Sequence, residues 1–139
     1  DANVLLYASD RASQSHGAAI GFLESRASDP ELFCVAWATL MSYLRIATHP
    51  RIFAQPLSPD EALGNVEALI SLPHVRVLSE GEDFLDVYRG VTGGLSVRGN
   101  LVPDAHLAAV LRQHQVRTLY TADADFKKFD FLDIRNPFA

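Results

Sequence analysis

Four acidic residues in this chain, namely Asp1, Asp104, Asp123 and Asp125, are of the type that could hold a divalent cation. Asp123 and Asp125 lie two residues apart in the segment Thr121-Ala122-Asp123-Ala124-Asp125-Phe126, and Asp104 follows Pro103. Because like charges repel, carboxylates that fold together need a compensating cation. Oxygen donors with no cysteine or histidine at ligand spacing favour Mg²⁺ or Mn²⁺. Such a site could activate water and neutralise charge on a phosphoryl group.

The same acids also have simpler interpretations. An aspartate at the start of a helix, as predicted for Asp104, is often a helix cap. An Asp-x-Asp sequence in a loop, such as Asp123 and Asp125, often belongs to a turn. Asp1 alone indicates nothing. The spacing by itself therefore leaves open a joint metal site and a set of unrelated caps and turns.

The elements that must position these acids alternate between helices and short apolar strands. Apolar residues at helical spacing predict helices over Ser15–Ala27, Trp37–Ala47, Pro59–Ile70 with Ser58 as cap, Asp83–Val91 and Pro103–His114. Short apolar runs predict strands over Leu32–Val35, Val75–Leu78, Thr118–Tyr120 and Phe131–Ile134. The segment Val4–Ala8 is left open between the end of a strand and the first turn of a helix. This alternation predicts an α/β protein with a parallel sheet.

A parallel sheet would bring the acids to one edge. Ligands bind outside the carboxyl ends of parallel strands. Asp123 comes three residues after the strand that ends at Tyr120, and Asp104 opens the helix after a loop with three glycines. We expect Asp1 to end a further strand that leads into the domain. The topology thus predicts that Asp1, Asp104 and Asp123 meet at the carboxyl edge.

Composition limits the class of protein. The chain has 139 residues, of which 48% are hydrophobic and 21% charged, so we expect one globular domain spanning residues 1–139. The net charge of -5 argues against a protein that coats DNA by charge alone. The single cysteine, Cys34, excludes a disulfide within the chain and is expected to be a small buried residue. With no apolar run of about 18 residues and no signal-peptide pattern, we expect no membrane span and a cytoplasmic protein.

Several segments together resemble a known family. Asp1–Ala8 resembles the opening motif of PIN domains, Pro103–Ala109 their central acidic helix start, and Leu119–Phe126 their late acidic motif. Leu44–Phe53, followed by Pro56-Leu57-Ser58, resembles the branch of mycobacterial VapC toxins. The order and the distances between these motifs match over nearly the whole chain.

The resemblance implies a fold and an activity. The fold is a three-layer α/β/α sandwich with a central, mostly parallel sheet. The activity is that of a Mg²⁺-dependent or Mn²⁺-dependent endoribonuclease, the toxin of a type II toxin–antitoxin system. Such toxins hydrolyse phosphodiester bonds of RNA, often tRNA or rRNA, and a VapB-type antitoxin holds them inactive.

The resemblance also assigns residues. It implies metal-binding catalytic carboxylates at Asp1, Asp104 and Asp123, with Asp125 as a fourth metal ligand. It implies polar residues that orient the site at Asn3 and Thr121. Independently of the family, three arginines could contact RNA phosphates, namely Arg45, Arg51 and Arg98, because a guanidinium matches a phosphate bidentately. A solvated or ion-paired arginine is the simpler interpretation of each.

One departure from the family pattern keeps an alternative open. Many PIN domains carry a glutamate on the helix after the second strand. Here the segment Thr39–Arg45 contains no acid, and Leu40 or Ser42 falls near that position. Fewer anionic ligands leave open whether one ion or two would bind. The alternative function is a catalytically weakened PIN-fold module that only binds RNA or antitoxin.

Two further hypotheses concern partners and rival folds. The helix with Leu40, Met41 and Leu44 has apolar surface enough for both a core and a partner, so the family analogy suggests a homodimer as well as an antitoxin contact. A phosphoryl-transfer domain of the response-regulator receiver class is disfavoured. That class has an acidic pair near its start, and Asp1 has no acidic neighbour.

Overall fold

The computed structural model describes all 139 residues, which form six α-helices, four short strands and one 3-10 helix. In chain order these are α1 (Ala2–Ser9), α2 (His16–Ser28), β1 (Phe33–Ala36), α3 (Trp37–Ala47), α4 (Pro59–Ile70), β2 (Val75–Leu78), α5 (Phe84–Thr92), α6 (Leu101–Gln113), β3 (Thr118–Tyr120), the 3-10 helix Ala124–Lys128 and β4 (Asp133–Arg135). The chain divides into a first unit, residues 1–77 with 137–139, and a second unit, residues 78–136. That residues 1–139 form a single domain remains a prediction.

The first unit has its core among α1, α3 and α4. The buried cluster consists of Leu6, Leu40, Tyr43, Ala47, Phe53, Ala62 and Val66. Because its apolar residues recur at three and four positions, α3 turns one face inward, and Leu40 and Ala47 on that face are fully buried. The hydroxyl of Ser58 accepts a hydrogen bond from the Glu61 N–H at 3.1 Å, and Pro59 occupies the first turn of α4. The predicted start of α4 is confirmed.

The second unit is built on α6 and a parallel strand pair. The buried residues of α6 are Ala105, Ala108, Ala109, Val110 and Leu111, and α5 packs against this helix. The small alanines allow close packing on α6. Strands β3 and β4 are parallel, with Thr118 opposite Asp133, Leu119 opposite Ile134 and Tyr120 opposite Arg135. The chain therefore leaves β3 at the carboxyl edge of this pair.

Helices and strands alternate along the chain as predicted, which confirms the α/β class. The strands pair as β1 with β2 and β3 with β4. None of the helices combines the length and the apolar character needed to cross a membrane.

Several element boundaries differ from the sequence prediction. Helix α6 begins at Leu101, two residues before Pro103. A proline is tolerated in a first helical turn because the N–H it lacks has no partner inside the helix there. Strand β4 begins at Asp133, not Phe131, because the N–H of Leu132 bonds back to the carbonyl of Phe129 in a turn. The open segment Val4–Ala8 is helical and belongs to α1.

Candidate metal centre

Asp104 is positioned by the buried face of α6. It lies in the first turn of that helix, and its neighbour Ala105 is fully buried. The side chain of Asp104 is half-buried. A carboxylate in a first turn is stabilised by the unpaired N–H groups of the helix start. The packing of α6 thus holds Asp104 at the start of the helix.

Asp123 and Asp125 are positioned by a hydrogen-bonded turn at the end of β3. Buried Thr121 donates its N–H to the carbonyl of Arg135 at 2.9 Å, and its Oγ1 accepts from the Asp123 N–H at 3.0 Å. Asp123 caps the 3-10 helix, because its Oδ1 accepts from the Asp125 N–H at 2.9 Å. The turn chemistry expected of an Asp-x-Asp sequence is therefore present. The same turn sets the positions of both carboxylates.

The three carboxylates form one cluster, here called the acidic cluster. One carboxylate oxygen each from Asp104, Asp123 and Asp125 lies within 4.8 Å of the other two. Asp104 and Asp123 are half-buried and Asp125 is exposed. The spacing left open whether these acids meet, and the structure brings them together. All three belong to the second unit.

The pKa of Asp104 reflects the unfavourable electrostatics of the acidic cluster. Burial raises the pKa of the Asp104 carboxyl above its ordinary value, and the negative charges of Asp123 and Asp125 raise it further. The ammonium of Lys128 opposes this rise. Ionised Asp104 is thus short of positive charge around it, and a bound cation would supply that charge.

Lys128 is the residue of this site that the sequence analysis missed. Its Nζ lies 3.9 Å from Oδ1 of Asp125, and both side chains are exposed. The only signal in the sequence is that Lys128 follows Asp125 by three residues, the spacing of an ion pair on one turn. Lys128 therefore gives the acidic cluster one cation at its exposed side.

The donor set fits a hard divalent cation. The acidic cluster contains carboxylate oxygens and no cysteine or histidine. Mg²⁺ and Mn²⁺ prefer such oxygen ligands, whereas zinc and copper sites favour nitrogen and sulfur. Three carboxylates from α6 and the turn after β3 could bind such an ion and leave its remaining positions to water or substrate.

Two residues predicted for the metal site, Asp1 and Asn3, belong to the first unit. Asp1 is the N-cap of α1, and its Oδ1 accepts from the Asn3 N–H at 3.1 Å. Asp1 is half-buried and Asn3 is exposed. The roles of Asp1 as a metal ligand and of Asn3 as an orienting residue remain predictions.

The three arginines considered for RNA binding are all exposed. Arg45 lies in the last turn of α3, and the N–H of Arg51 bonds to Nδ1 of His49 at 3.0 Å. Arg98 donates to Oγ of Ser96 at 2.7 Å. Their guanidinium groups are accessible, and their contact with RNA remains a prediction.

The position at which the family pattern predicts a glutamate falls on α3. Leu40 is fully buried in the first unit's core, so its side chain contributes to packing. Ser42 is half-buried and offers a neutral hydroxyl in place of a carboxylate. Neither residue adds negative charge to a metal site.

Comparison with known proteins gives consistent matches along the chain. The family model of the PIN domain matches residues 1–132. "Ribonuclease VapC48" of Mycobacterium tuberculosis (strain ATCC 25618 / H37Rv) is 42% identical over 139 residues, which is 100% of this chain and 96% of the relative. "VapC ribonuclease Mb2897" of Mycobacterium bovis is 34% identical over 137 residues, which is 99% of this chain and 92% of the relative.

A solved structure agrees with the fold. The crystal structure of Mycobacterium tuberculosis VapC20, described as a "Sarcin-Ricin loop cleaving toxin", matches with a TM-score of 0.67. The match covers 97% of this chain and 96% of that one, at 19% identity. At this identity the likeness bears on the fold alone. It confirms the predicted PIN-like α/β fold class.

Proposed function

Since this chain belongs to the PIN domain family, among its VapC-type ribonuclease toxins, we propose that it is a metal-dependent endoribonuclease. In this proposal it hydrolyses phosphodiester bonds of RNA and acts as the toxin of a type II toxin–antitoxin system. The observation that carries the proposal is the acidic cluster of Asp104, Asp123 and Asp125, whose oxygens lie within 4.8 Å of one another.

The acidic cluster would hold Mg²⁺, or Mn²⁺ in its place. Asp104 and Asp123 are half-buried, which favours a specific site, and Asp125 stands at the exposed edge. The raised pKa of Asp104 supports the same assignment, because burial and the negative charges of Asp123 and Asp125 disfavour the ionised carboxylate. Asp1 is proposed as a further ligand and Asn3 as an orienting residue, both from the family motif.

In the proposed mechanism, the ion and the residues around it have different roles. A bound divalent ion would supply positive charge to the phosphoryl oxygens and make water more acidic. Asp104 and Asp123 would orient the attacking water and accept its proton. Thr121 would keep Asp123 in place through the bond between its hydroxyl and the Asp123 N–H, which measures 3.0 Å. Lys128 would neutralise charge on the RNA phosphate at the exposed side of the cluster.

The partners follow from the proposed activity. We propose a structured RNA such as tRNA or rRNA as the substrate, with Arg45, Arg51 and Arg98 as phosphate contacts. Cleavage of such RNA would stop translation and growth, and it would take place in the cytoplasm. A VapB-type antitoxin would inhibit the enzyme, and a homodimer is the proposed assembly.

The test of this function is RNA cleavage by the purified chain with Mg²⁺ or Mn²⁺ and with EDTA. We expect cleavage with either ion and none with EDTA. The variant Asp104→Asn should lose more than about 100-fold in rate, because even residues that only orient a metal ligand cost about 10–100-fold. Undiminished cleavage by Asp104→Asn would contradict the role given to Asp104.

A matched control is available in the same unit. Asp86 is an exposed acid in the first turn of α5, as Asp104 lies in the first turn of α6. Asp86→Asn removes the same charge from a helix start outside the acidic cluster, and we expect it to cleave like the wild type. A large loss in both variants would indicate a general effect of net charge.

The absent glutamate favours one alternative function. Leu40 or Ser42 falls near the position where the family pattern has a glutamate, and the segment Thr39–Arg45 contains no carboxylate. A module that only binds RNA or antitoxin would bind Mn²⁺ weakly and show no cleavage at any Mn²⁺ concentration. Cleavage that increases with Mn²⁺ and saturates would exclude it.

A further inference from the structure

A second feature of the second unit lies beside the acidic cluster. A cavity of about 700 Å³ is bounded by α5, by the end of α6 and by the segment 128–131. Its volume falls in the range of about 300–1,000 Å³ that is typical of small-ligand sites. Lys128 lines this cavity, and its Nζ is also 3.9 Å from Asp125. Lys128 therefore connects the cavity to the acidic cluster through its ion pair with Asp125.

The wall of the cavity carries a preformed stacking surface. The guanidinium carbon of Arg112 lies 5.1 Å from the ring centroid of Phe131. Arg112 is exposed and Phe131 is half-buried, so the guanidinium covers the ring while remaining accessible. Bases that leave a nucleic-acid stack bind to aromatic rings and to guanidinium planes. The guanidinium of Arg112, backed by the ring of Phe131, offers such a plane.

A neighbouring wall is held by hydrogen bonds. Oε1 of Gln113 accepts from the Gly81 N–H at 2.8 Å, and its Nε2 donates to the carbonyl of Glu82 at 2.7 Å. These two bonds join the end of α6 to the segment before α5. The buried ring of Phe129 also lines the cavity. The cavity is thus largely formed before any ligand binds.

The charges of the cavity favour a neutral ring over an anion. Two cations line it, Arg112 and Lys128, and two acids balance them, Glu82 and Asp130. A free phosphate would find no excess of positive charge there. A nucleobase is uncharged, presents a flat π face, and has polar edges that amide and charged side chains can bind.

We propose that this cavity is a nucleobase subsite, which binds the base of a nucleotide next to the phosphate held at the acidic cluster. Arg112 and Phe131 form the stacking surface, and Lys128 lies at the junction between base and phosphate. This inference rests on the proposed ribonuclease function and adds to it the residues that select the base beside the cut. The acidic cluster performs hydrolysis, and the cavity sets sequence preference.

The first experiment measures base binding without metal or phosphate. Adenosine, guanosine, cytidine and uridine, with ribose as control, are titrated into the full chain in EDTA, and binding is followed by NMR chemical shifts. We expect at least one nucleoside to bind saturably and ribose not to bind. Arg112→Gln and Phe131→Leu should each raise the Kd of that nucleoside by about tenfold, as expected for the loss of one stacking contact.

Two further variants separate stacking from charge and from general effects. Arg112→Lys keeps the charge and loses the planar group, so it should weaken binding as Arg112→Gln does. Arg117→Gln removes an exposed arginine of the same unit that does not line the cavity, and should bind like the wild type. The proposal is overturned if no nucleoside saturates, or if Arg112→Gln and Phe131→Leu bind as tightly as the wild type.

The second experiment uses cleavage of short RNAs that differ only at the base beside the cut. Arg112→Gln should raise KM by about tenfold, leave kcat within about threefold, and reduce the preference among bases. If KM and the preference among bases were both unchanged, the subsite would be rejected and the ribonuclease function would not be. Absence of cleavage by the wild type with Mg²⁺ and Mn²⁺ would instead reject the ribonuclease function, and nucleoside titration would still decide whether the cavity binds bases.

Discussion

The two units of this protein differ in how their polar side chains are paired. In the first unit, the hydroxyl of buried Tyr43 lies 2.7 Å from Oγ of Ser9 and accepts from Nδ2 of Asn65 at 2.9 Å. In the second unit, the carboxylates of Asp104, Asp123 and Asp125 share one small region with like charge. The first arrangement satisfies neutral groups and stabilises the fold. The second concentrates negative charge, which costs stability and which a bound cation would offset.

The largest effect on stability is expected in the core of the first unit. Leu40→Ala should lower the free energy of unfolding by about 2–5 kcal/mol, because it leaves a cavity around a fully buried side chain. Leu63→Ala, at an exposed leucine of α4, should change it by less than about 1 kcal/mol. Urea unfolding in EDTA measures both. A loss below 1 kcal/mol for Leu40→Ala would show that the core among α1, α3 and α4 does not dominate stability.

A bound divalent ion should offset the stability lost to the clustered carboxylates of the second unit. At a Mn²⁺ concentration 100 times its Kd, the wild type should gain about 2.7 kcal/mol of stability at pH 7. Asp104→Asn should gain far less, and Asp86→Asn should gain as much as the wild type. Thermal unfolding with and without Mn²⁺ gives the comparison. An equal gain in wild type and Asp104→Asn would place the ion elsewhere.

The polar network of the first unit should show an intermediate effect. Tyr43→Phe removes a hydroxyl with two partners inside a buried site, so we expect a loss of about 1–2 kcal/mol. Ser9→Ala and the double variant complete a cycle that measures the coupling between the two hydroxyls. Additive losses within about 0.5 kcal/mol would contradict a shared network.

The smallest expected change in the free energy of unfolding is a gain, and it comes from Asp104→Asn without metal. In EDTA at pH 7, Asp104→Asn should raise the free energy of unfolding by about 0.5–1 kcal/mol, because it removes one of three like charges. If Asp104 acted only as a helix-start residue, the same variant would destabilise the protein. Urea unfolding therefore distinguishes the site from the cap.

The pH dependence follows from the raised pKa of Asp104. A carboxyl whose folded-state pKa lies above its ordinary value of 3.8 contributes stability that is fully present below that value and is lost as pH rises through the folded-state pKa. The advantage of Asp104→Asn in EDTA should accordingly disappear at low pH and grow toward neutrality. The Mn²⁺ gain of the wild type should fall as pH falls, because protons compete for the same oxygens. A gain that stays constant as the pH is lowered from 7 toward 3.8 would contradict carboxylate ligation.

Local signals in the sequence were sufficient for most of the elements. Helical spacing located α3 and α4, and the cap at Ser58 with Pro59 placed the start of α4 correctly. Boundaries that depend on tertiary context were wrong, since α6 begins before Pro103 and β4 begins at Asp133. In the sequence, a proline in a first helical turn looks like the start of the helix. The apolar residues of a turn before a strand likewise look like part of the strand.

The candidate site was predicted in part. Spacing and motif selected Asp1, Asp104, Asp123 and Asp125, but spacing alone could not separate a cap and a turn from a metal site. The structure shows that the turn and the proximity coexist, because the turn that uses Asp123 as a cap also brings its carboxylate within 4.8 Å of that of Asp104. That the acidic cluster binds a metal remains a proposal. Lys128 was missed because a lysine three residues after an aspartate has no distinctive pattern. The cavity with Arg112 and Phe131 was missed because those residues are 19 positions apart.

By itself, then, the amino-acid sequence determined the α/β class, the family, and the residue types that could bind a cation. These depend on periodicity and on motifs, which are properties of neighbouring residues along the chain. Only the tertiary structure decided that α6 and the turn after β3 bring three acids together, and that Arg112 lies on Phe131. Such contacts join residues distant in the chain, and the packing of α6 against its neighbours determines them.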